Sequence, residues 1–240
     1  MIIIPARLAS TRFEHKILRT IDGVPMFVKT AMNAKNADNV LIACDDEKVA
    51  NIAKSYGLDA ILTNVNHESG TDRINEAADK FNLKDNEIII NVQADEPFFE
   101  VENLIKFKDF ASKSIASGSF MASCFKLVKK EDAQNPNLVK VVLDTNDNAL
   151  YFSRSLLPYP RNECEVFKAH IGIYAYSVVN LKEFCTLETK ELENIEKLEQ
   201  LRALQSGKKI KMMQIQTKSI GIDTKEDLKT AADKFGFRID

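Results

Sequence analysis

Residues 5–16 read P-A-R-L-A-S-T-R-F-E-H-K. Three cations, Arg7, Arg12 and Lys16, surround two hydroxyls, Ser10 and Thr11, directly after the apolar run 2–4. Guanidinium forks bind phosphate oxygens in pairs and an ammonium adds a compact charge, so the run suits a polyphosphate. It contains neither G-x-x-x-x-G-K-[ST] nor G-x-G-x-x-G, and the chain has only 8 glycines, so side chains rather than a glycine-rich nest would carry the charge. A basic loop is also a common solvated surface feature, and its position in the fold separates the two readings. The run 91–97, N-V-Q-A-D-E-P, offers the complementary chemistry. Magnesium binds through one or two carboxylates plus substrate phosphates, and Asp95 is the best single ligand candidate. Asp223, in G-I-D-T-K-E-D (221–227), is the second. There Thr224 and Asp227 also read as a capping box, which is an ordinary helix start. The chain has no D-x-D triplet, which argues against a nucleotide-sugar-dependent glycosyltransferase.

These groups need a scaffold. Short apolar runs at 2–4, 40–44, 60–62 and 88–92 read as strands. Val49, Ile52, Ala53 and Tyr56 follow helical spacing and stop at Gly57, and Ile74, Ala77, Ala78 and Phe81 repeat the pattern. Such alternation predicts an α/β fold with a doubly wound, mostly parallel sheet. In that architecture ligands bind beyond the carboxyl ends of the strands, which puts the cationic run and Asp95 on one rim. Residues 120–128, 139–143, 150–153 and 170–176 read as strands with few helices between them, an inserted antiparallel arm around 120–176. Helical patterns return at 192–204 and 228–235. With no repeat and no linker, residues 1–240 read as a single domain carrying that insertion.

Composition limits the function classes. With 240 residues, 45% hydrophobic and 28% charged, the chain is globular. A formal net charge of -2 lacks the basic field of a general nucleic-acid binder, so no nucleic-acid partner is expected. No apolar run approaches the roughly 20 residues of a membrane span, and residues 1–5 carry no signal-peptide pattern. Cys44, Cys124, Cys164 and Cys185 are widely spaced without C-x-x-C, which predicts reduced thiols and a cytoplasmic protein with no membrane partner.

These motifs occur in a fixed order with four others. The full series is P-A-R-L-A-S-T-R-F-E-H-K, H-E-S-G-T-D-R (67–73), N-V-Q-A-D-E-P, Y-F-S-R (151–154), H-I-G-I-Y (170–174), L-E-Q-L-R (198–202) and G-I-D-T-K-E-D. Over essentially the whole chain this series resembles the 3-deoxy-manno-octulosonate cytidylyltransferases, or CMP-Kdo synthetases. The related CMP-sialate synthetases normally carry a glycine-rich first loop, absent here. The resemblance implies that CTP and 3-deoxy-D-manno-octulosonate (Kdo) give CMP-Kdo and pyrophosphate, for lipopolysaccharide assembly, with Mg²⁺ as cofactor and a homodimer as the working form. It implies catalytic roles for Arg7, Lys16 and Asp95. Arg7, Ser10, Arg12, Lys16, Ser69, Gly70, Arg73 and Gln93 match nucleotide-binding positions. Gln93, Arg154, Arg161, His170, Tyr174, Glu199 and Gln200 match sugar-acid positions, and Asp95 and Asp223 match the metal-binding pair. One position departs: Glu14-His15 replaces the family's usual Pro-Gly before the lysine.

Overall fold

A computed structural model describes residues 1–9 and 13–239. The chain divides into two compact units, Met1–Lys106 with Thr217–Asp240, and Phe107–Gln216.

In the first unit the strands Asp59–Leu62, Val40–Cys44, Ile2–Ala6 and Ile88–Asn91 lie side by side in that order, all parallel. Ile2 stands opposite Val40 on one side and Ile90 on the other. Ile2, Ile3 and Ile4 are fully buried, as a strand covered on both faces requires. Helices Met26–Ala34, Glu47–Ser55 and Gly70–Lys80 supply the crossovers. Gly57, at φ +68, turns the chain out of the second of them. After the chain re-enters this unit, helix Lys225–Phe235 starts with a full capping box between Thr224 and Asp227 and ends at Gly236, φ +71.

An apolar cluster in this unit joins segments distant in sequence. Phe13, Ile21, Met26, Ile222, Leu228 and Ala231 are buried together, with Phe98, Phe235 and Phe237 packed against them. Phe98 stacks on Phe235 with ring centroids 4.1 Å apart. The cluster ties down the end of the first loop, the turn after strand Ile88–Asn91, and the run before the last helix.

The second unit contains the antiparallel pairing expected from the sequence. Strand Val166–Ser177 pairs antiparallel with Met121–Lys129, and Lys140–Leu143 pairs antiparallel with Ala149–Ser153. Strand Ile210–Gln214 adds in parallel to Met121–Lys129. The register slips between Ile171 and Tyr174, so His170 opposes Phe125 while Tyr174 opposes Ser123.

The α/β class and the expected strands hold. One expected helix does not: 192–204 is two short helices, Glu191–Glu196 and Gln200–Gln205, broken where Lys197 takes a left-handed conformation, φ +53. Among the described residues, helices Met26–Ala34, Val101–Ala116, Lys130–Ala133 and Val178–Thr186, and strands Thr20–Ile21, Val24–Pro25 and Ile210–Gln214, stand beyond the sequence expectations.

Candidate functional site

Lys16 lies at the head of a short 3-10 turn, Lys16–Leu18, that begins beyond the first strand. The chain reaches it through His15 in the left-handed region, φ +50. A glycine, as in the usual Pro-Gly pair, takes this conformation freely. Here a histidine is held in it, so the chain makes a left-handed turn before the lysine without a glycine. The Lys16 ammonium donates to Asp95 Oδ2 at 2.5 Å and to Asp223 Oδ1 at 2.7 Å. Burial opposes its charge, but Asp95 and Asp223 outweigh burial and raise its pKa. Lys16 is therefore a firm cation.

Asp95 sits in the turn after strand Ile88–Asn91. Glu96 N–H bonds Gln93 O at 3.2 Å to close the turn, and the buried Thr30 hydroxyl holds Ala94 O at 2.9 Å. Gln93 donates its amide to Asn91 Oδ1 at 3.1 Å. Asp223 precedes the last helix. Thr224 is the N-cap, and Asp227 accepts the backbone N–H of Asp223 at 3.1 Å and of Thr224 at 2.8 Å. Capping is thus done by its neighbours, and the Asp223 carboxylate turns to Lys16.

Arg7 is exposed just after the first strand. Ser10 and Arg12 lie outside the described residues. The next residue after Arg7, Leu8, donates its N–H to Asp45 Oδ1 at 3.0 Å, and Asp45 Oδ2 receives Arg73 Nη2 at 3.2 Å. Arg73 Nη1 also donates to Thr63 Oγ1 at 2.6 Å. With 1% of its surface exposed, Arg73 supports the first loop from within rather than presenting its guanidinium to solvent. Ser69 caps helix Gly70–Lys80, accepting from Asp72 N at 3.1 Å. A Cβ at Gly70 would stand 3.3 Å from Pro5 Cγ, so this glycine lets the helix start lie against the first strand.

No group of three or more His, Cys, Asp or Glu able to hold a metal is found among the described residues. Asp95 and Asp223 do fit a hard divalent cation whose other ligands come from phosphate and water. Both carboxylates converge on one positive centre, Lys16 Nζ.

The second unit holds the remaining predicted residues. Tyr174 donates its hydroxyl to Gln200 Oε1 at 3.1 Å, and the two rings of His170 and Tyr174 lie 5.4 Å apart. His170 Nε2 meets Ser123 Oγ at 2.9 Å, while that hydroxyl donates to Ile173 O at 2.8 Å. The serine oxygen then accepts from Nε2–H, leaving Nδ1 as an acceptor. Burial pushes His170 down to about 3, so the ring is neutral near pH 7. Gln200 is 3% exposed, and its amide nitrogen has no hydrogen-bond partner among the described residues. Glu199 is half-buried beside it, 3.9 Å from Arg202. Arg154 points elsewhere: Nε donates to Glu196 O at 2.8 Å and Nη1 to Pro136 O at 3.3 Å. Arg161 is exposed in the loop after Tyr159.

The pattern of the Cytidylyltransferase family matches residues 1–210. A 3-deoxy-manno-octulosonate cytidylyltransferase of Nitratiruptor sp. is 54% identical over 95% of this chain and 97% of its own length. One of Wolinella succinogenes is 49% identical over 98% of this chain and 99% of its own. The solved structure of a CMP:2-keto-3-deoxy-manno-octonic acid synthetase complexed with CTP superposes with a TM-score of 0.90 at 34% identity, covering 98% of this chain and 97% of that one. The chain belongs to the 3-deoxy-manno-octulosonate cytidylyltransferases. A Leptospira cytidylyltransferase at 17% identity and TM-score 0.60 shares the fold.

Within this cytidylyltransferase, several supporting residues went unread in the sequence. Asp45 and Thr63 hold Arg73. Glu76 accepts Asn64 N at 2.8 Å, meets His67 Nε2 at 2.5 Å and pairs with Lys80 at 2.7 Å, bracing the approach to Ser69. Its i,i+4 spacing to Lys80 was the available signal. Lys140 is fully buried and donates to Arg154 O at 2.6 Å and Asn135 O at 3.0 Å. A lone lysine inside the apolar run V-K-V-V was its signal.

Proposed function

We propose that this enzyme transfers the CMP group of CTP to Kdo, giving CMP-Kdo and pyrophosphate for lipopolysaccharide assembly. The observation that carries the reading is the convergence of Lys16 with Asp95 and Asp223 beyond the parallel strands. This places a loop cation and two carboxylates together, one for phosphate charge and two for a divalent cation.

The anomeric hydroxyl oxygen of Kdo attacks the α-phosphorus of CTP in line, and its proton passes to water. The bond from the α-phosphorus to the bridging oxygen breaks, and pyrophosphate leaves with that oxygen. Such transfers depend mainly on positioning and charge neutralisation. Arg7 and Lys16 take up the charge that grows on the leaving pyrophosphate. Ser69, Gly70 and Gln93 surround the nucleotide, with Arg73 and Asp45 fixing the loop beneath it. Asp95 and Asp223 would hold Mg²⁺, which when bound would supply charge neutralisation at phosphate and lower the pKa of the sugar hydroxyl. In the second unit, His170, Tyr174 and Gln200 bind Kdo hydroxyls, with Glu199 beside them. The unpartnered Gln200 amide is a donor awaiting an acceptor. Arg154 and Arg161 supply positive charge for the sugar carboxylate, which requires Arg154 to leave its carbonyl partners.

The same proposal includes a cytoplasmic homodimer. Four free cysteines suit a reducing compartment. Leu127, Leu150 and Val166, each at least half exposed on strands of the second unit, supply apolar surface for a second copy. Pyrophosphate release from CTP, Mg²⁺ and a panel of sugar acids tests the reaction. Release with Kdo is expected, and no release with any sugar acid overturns it.

A further inference from the structure

Residues 215–223 form neither helix nor strand, yet they deliver Asp223. Irregular backbone needs partners for its polar groups, and here two carboxylates provide them. Glu100 Oε2 accepts the Thr217 hydroxyl at 2.6 Å, and Oε1 accepts Lys218 N–H at 2.7 Å. Ser219 N–H donates back to Thr217 Oγ1 at 2.9 Å. Ser219 Oγ donates to Glu96 Oε2 at 2.7 Å. The other Glu96 oxygen lies 2.9 Å from where a Cβ of residue 221 would stand, so Gly221 leaves room for this carboxylate. Finally Ile222 N–H bonds Asp95 O at 3.0 Å. The run 217–222 is thus laced, contact by contact, along the segment 95–100 that begins with Asp95.

We infer that Glu96 and Glu100 are positioning residues, holding 217–222 so that the Asp223 carboxylate is presented beside Asp95. The inference rests on the use of Asp223 proposed above. Glu100 also stands at the start of helix Val101–Ala116, where Asn103 Nδ2 donates to it at 3.2 Å, so a purely structural role predicts lost stability alone. Its partners in the clamp separate the two roles. Thr217→Val removes the hydroxyl and keeps the shape, and Thr217→Ser restores it. Gly221→Ala adds a methyl that presses on the Glu96 carboxylate, while the backbone there is open to alanine.

The test measures kcat and the KM for CTP in Thr217→Val, Thr217→Ser and Gly221→Ala, and amide hydrogen exchange at Ile222 in each. Thr217→Val and Gly221→Ala are expected to lower kcat about 10-fold with the KM for CTP within about 2-fold, as misplacement at a reacting centre does. Ile222 exchange should rise by a similar factor while the amides of helix Lys225–Phe235 stay protected, and Thr217→Ser should return both values toward the parent. Lower thermal stability with unchanged kcat and unchanged Ile222 exchange overturns the inference. If the parent enzyme releases no pyrophosphate with any sugar acid, the proposed reaction fails. Ile222 exchange alone then decides the clamp, with loss of protection supporting it and parent-like protection refuting it.

Discussion

Lys16 joins residues 79 and 207 positions away in the chain. Sequence spacing could mark Lys16, Asp95 and Asp223 as chemically apt, but not their meeting, which is a tertiary event. The case of Asp223 shows why. In G-I-D-T-K-E-D the sequence offers a capping box at Thr224 and Asp227 beside a metal-ligand reading of Asp223, and does not say where the Asp223 side chain goes. The structure assigns the cap to Thr224 and Asp227, and the Asp223 side chain goes to Lys16. Arg73, matched to a nucleotide-binding position, is buried against Asp45 and Thr63. His170 gives a prediction at this scale. Burial pushes its pKa down to about 3, against an ordinary value of 6.5. Between those values the unfolded chain binds the extra proton, so His170 makes stability fall as pH drops from 6.5 toward 3. Thermal melts of His170→Gln against pH should show a shallower slope in that window. An unchanged slope would place the titrating group elsewhere.

At the level of elements, the buried strands were legible because a strand covered on both faces is a continuous apolar run: Val40–Cys44 appears in the sequence with its observed limits. Helix Val101–Ala116 was legible in principle, since Leu104, Phe107 and Ala111 are its buried apolar positions at helical spacing. The break at Lys197 was not, because no glycine or proline marks it. The first loop combines both situations. Its cations could be read, while its path depends on a left-handed His15 that composition does not announce. An L-residue in that conformation costs about 1 kcal/mol or more relative to glycine, partly offset by glycine's freedom in the unfolded chain. His15→Gly is therefore expected to raise or hold Tm, by up to about 1 kcal/mol of stability, in denaturant unfolding. A clear loss of stability would show that the imidazole itself supports the loop.

Across the whole molecule, the described residues matched to nucleotide and metal positions, Gln93 among them, belong to the unit formed by Met1–Lys106 and Thr217–Asp240, and the other residues matched to sugar-acid positions belong to Phe107–Gln216. In chain order the motifs run through the first unit, then the second, and return to the first at 221–227, which is why a resemblance over the full length was needed to collect them. The exposed Leu127, Leu150 and Val166 belong to the second unit. Sedimentation equilibrium is expected to give a mass near twice the 27.0 kDa chain. A monomer at micromolar concentration would leave those residues without the proposed partner. Asp95 and Asp223, both beside Lys16, are proposed to carry the transfer of CMP to Kdo. Pyrophosphate release from CTP and Kdo at saturating Mg²⁺, with the parent chain beside Asp95→Asn, tests it most directly. Release by the parent and a fall in kcat of at least about 10²-fold in the variant are expected. Near-parent kcat in Asp95→Asn would contradict it.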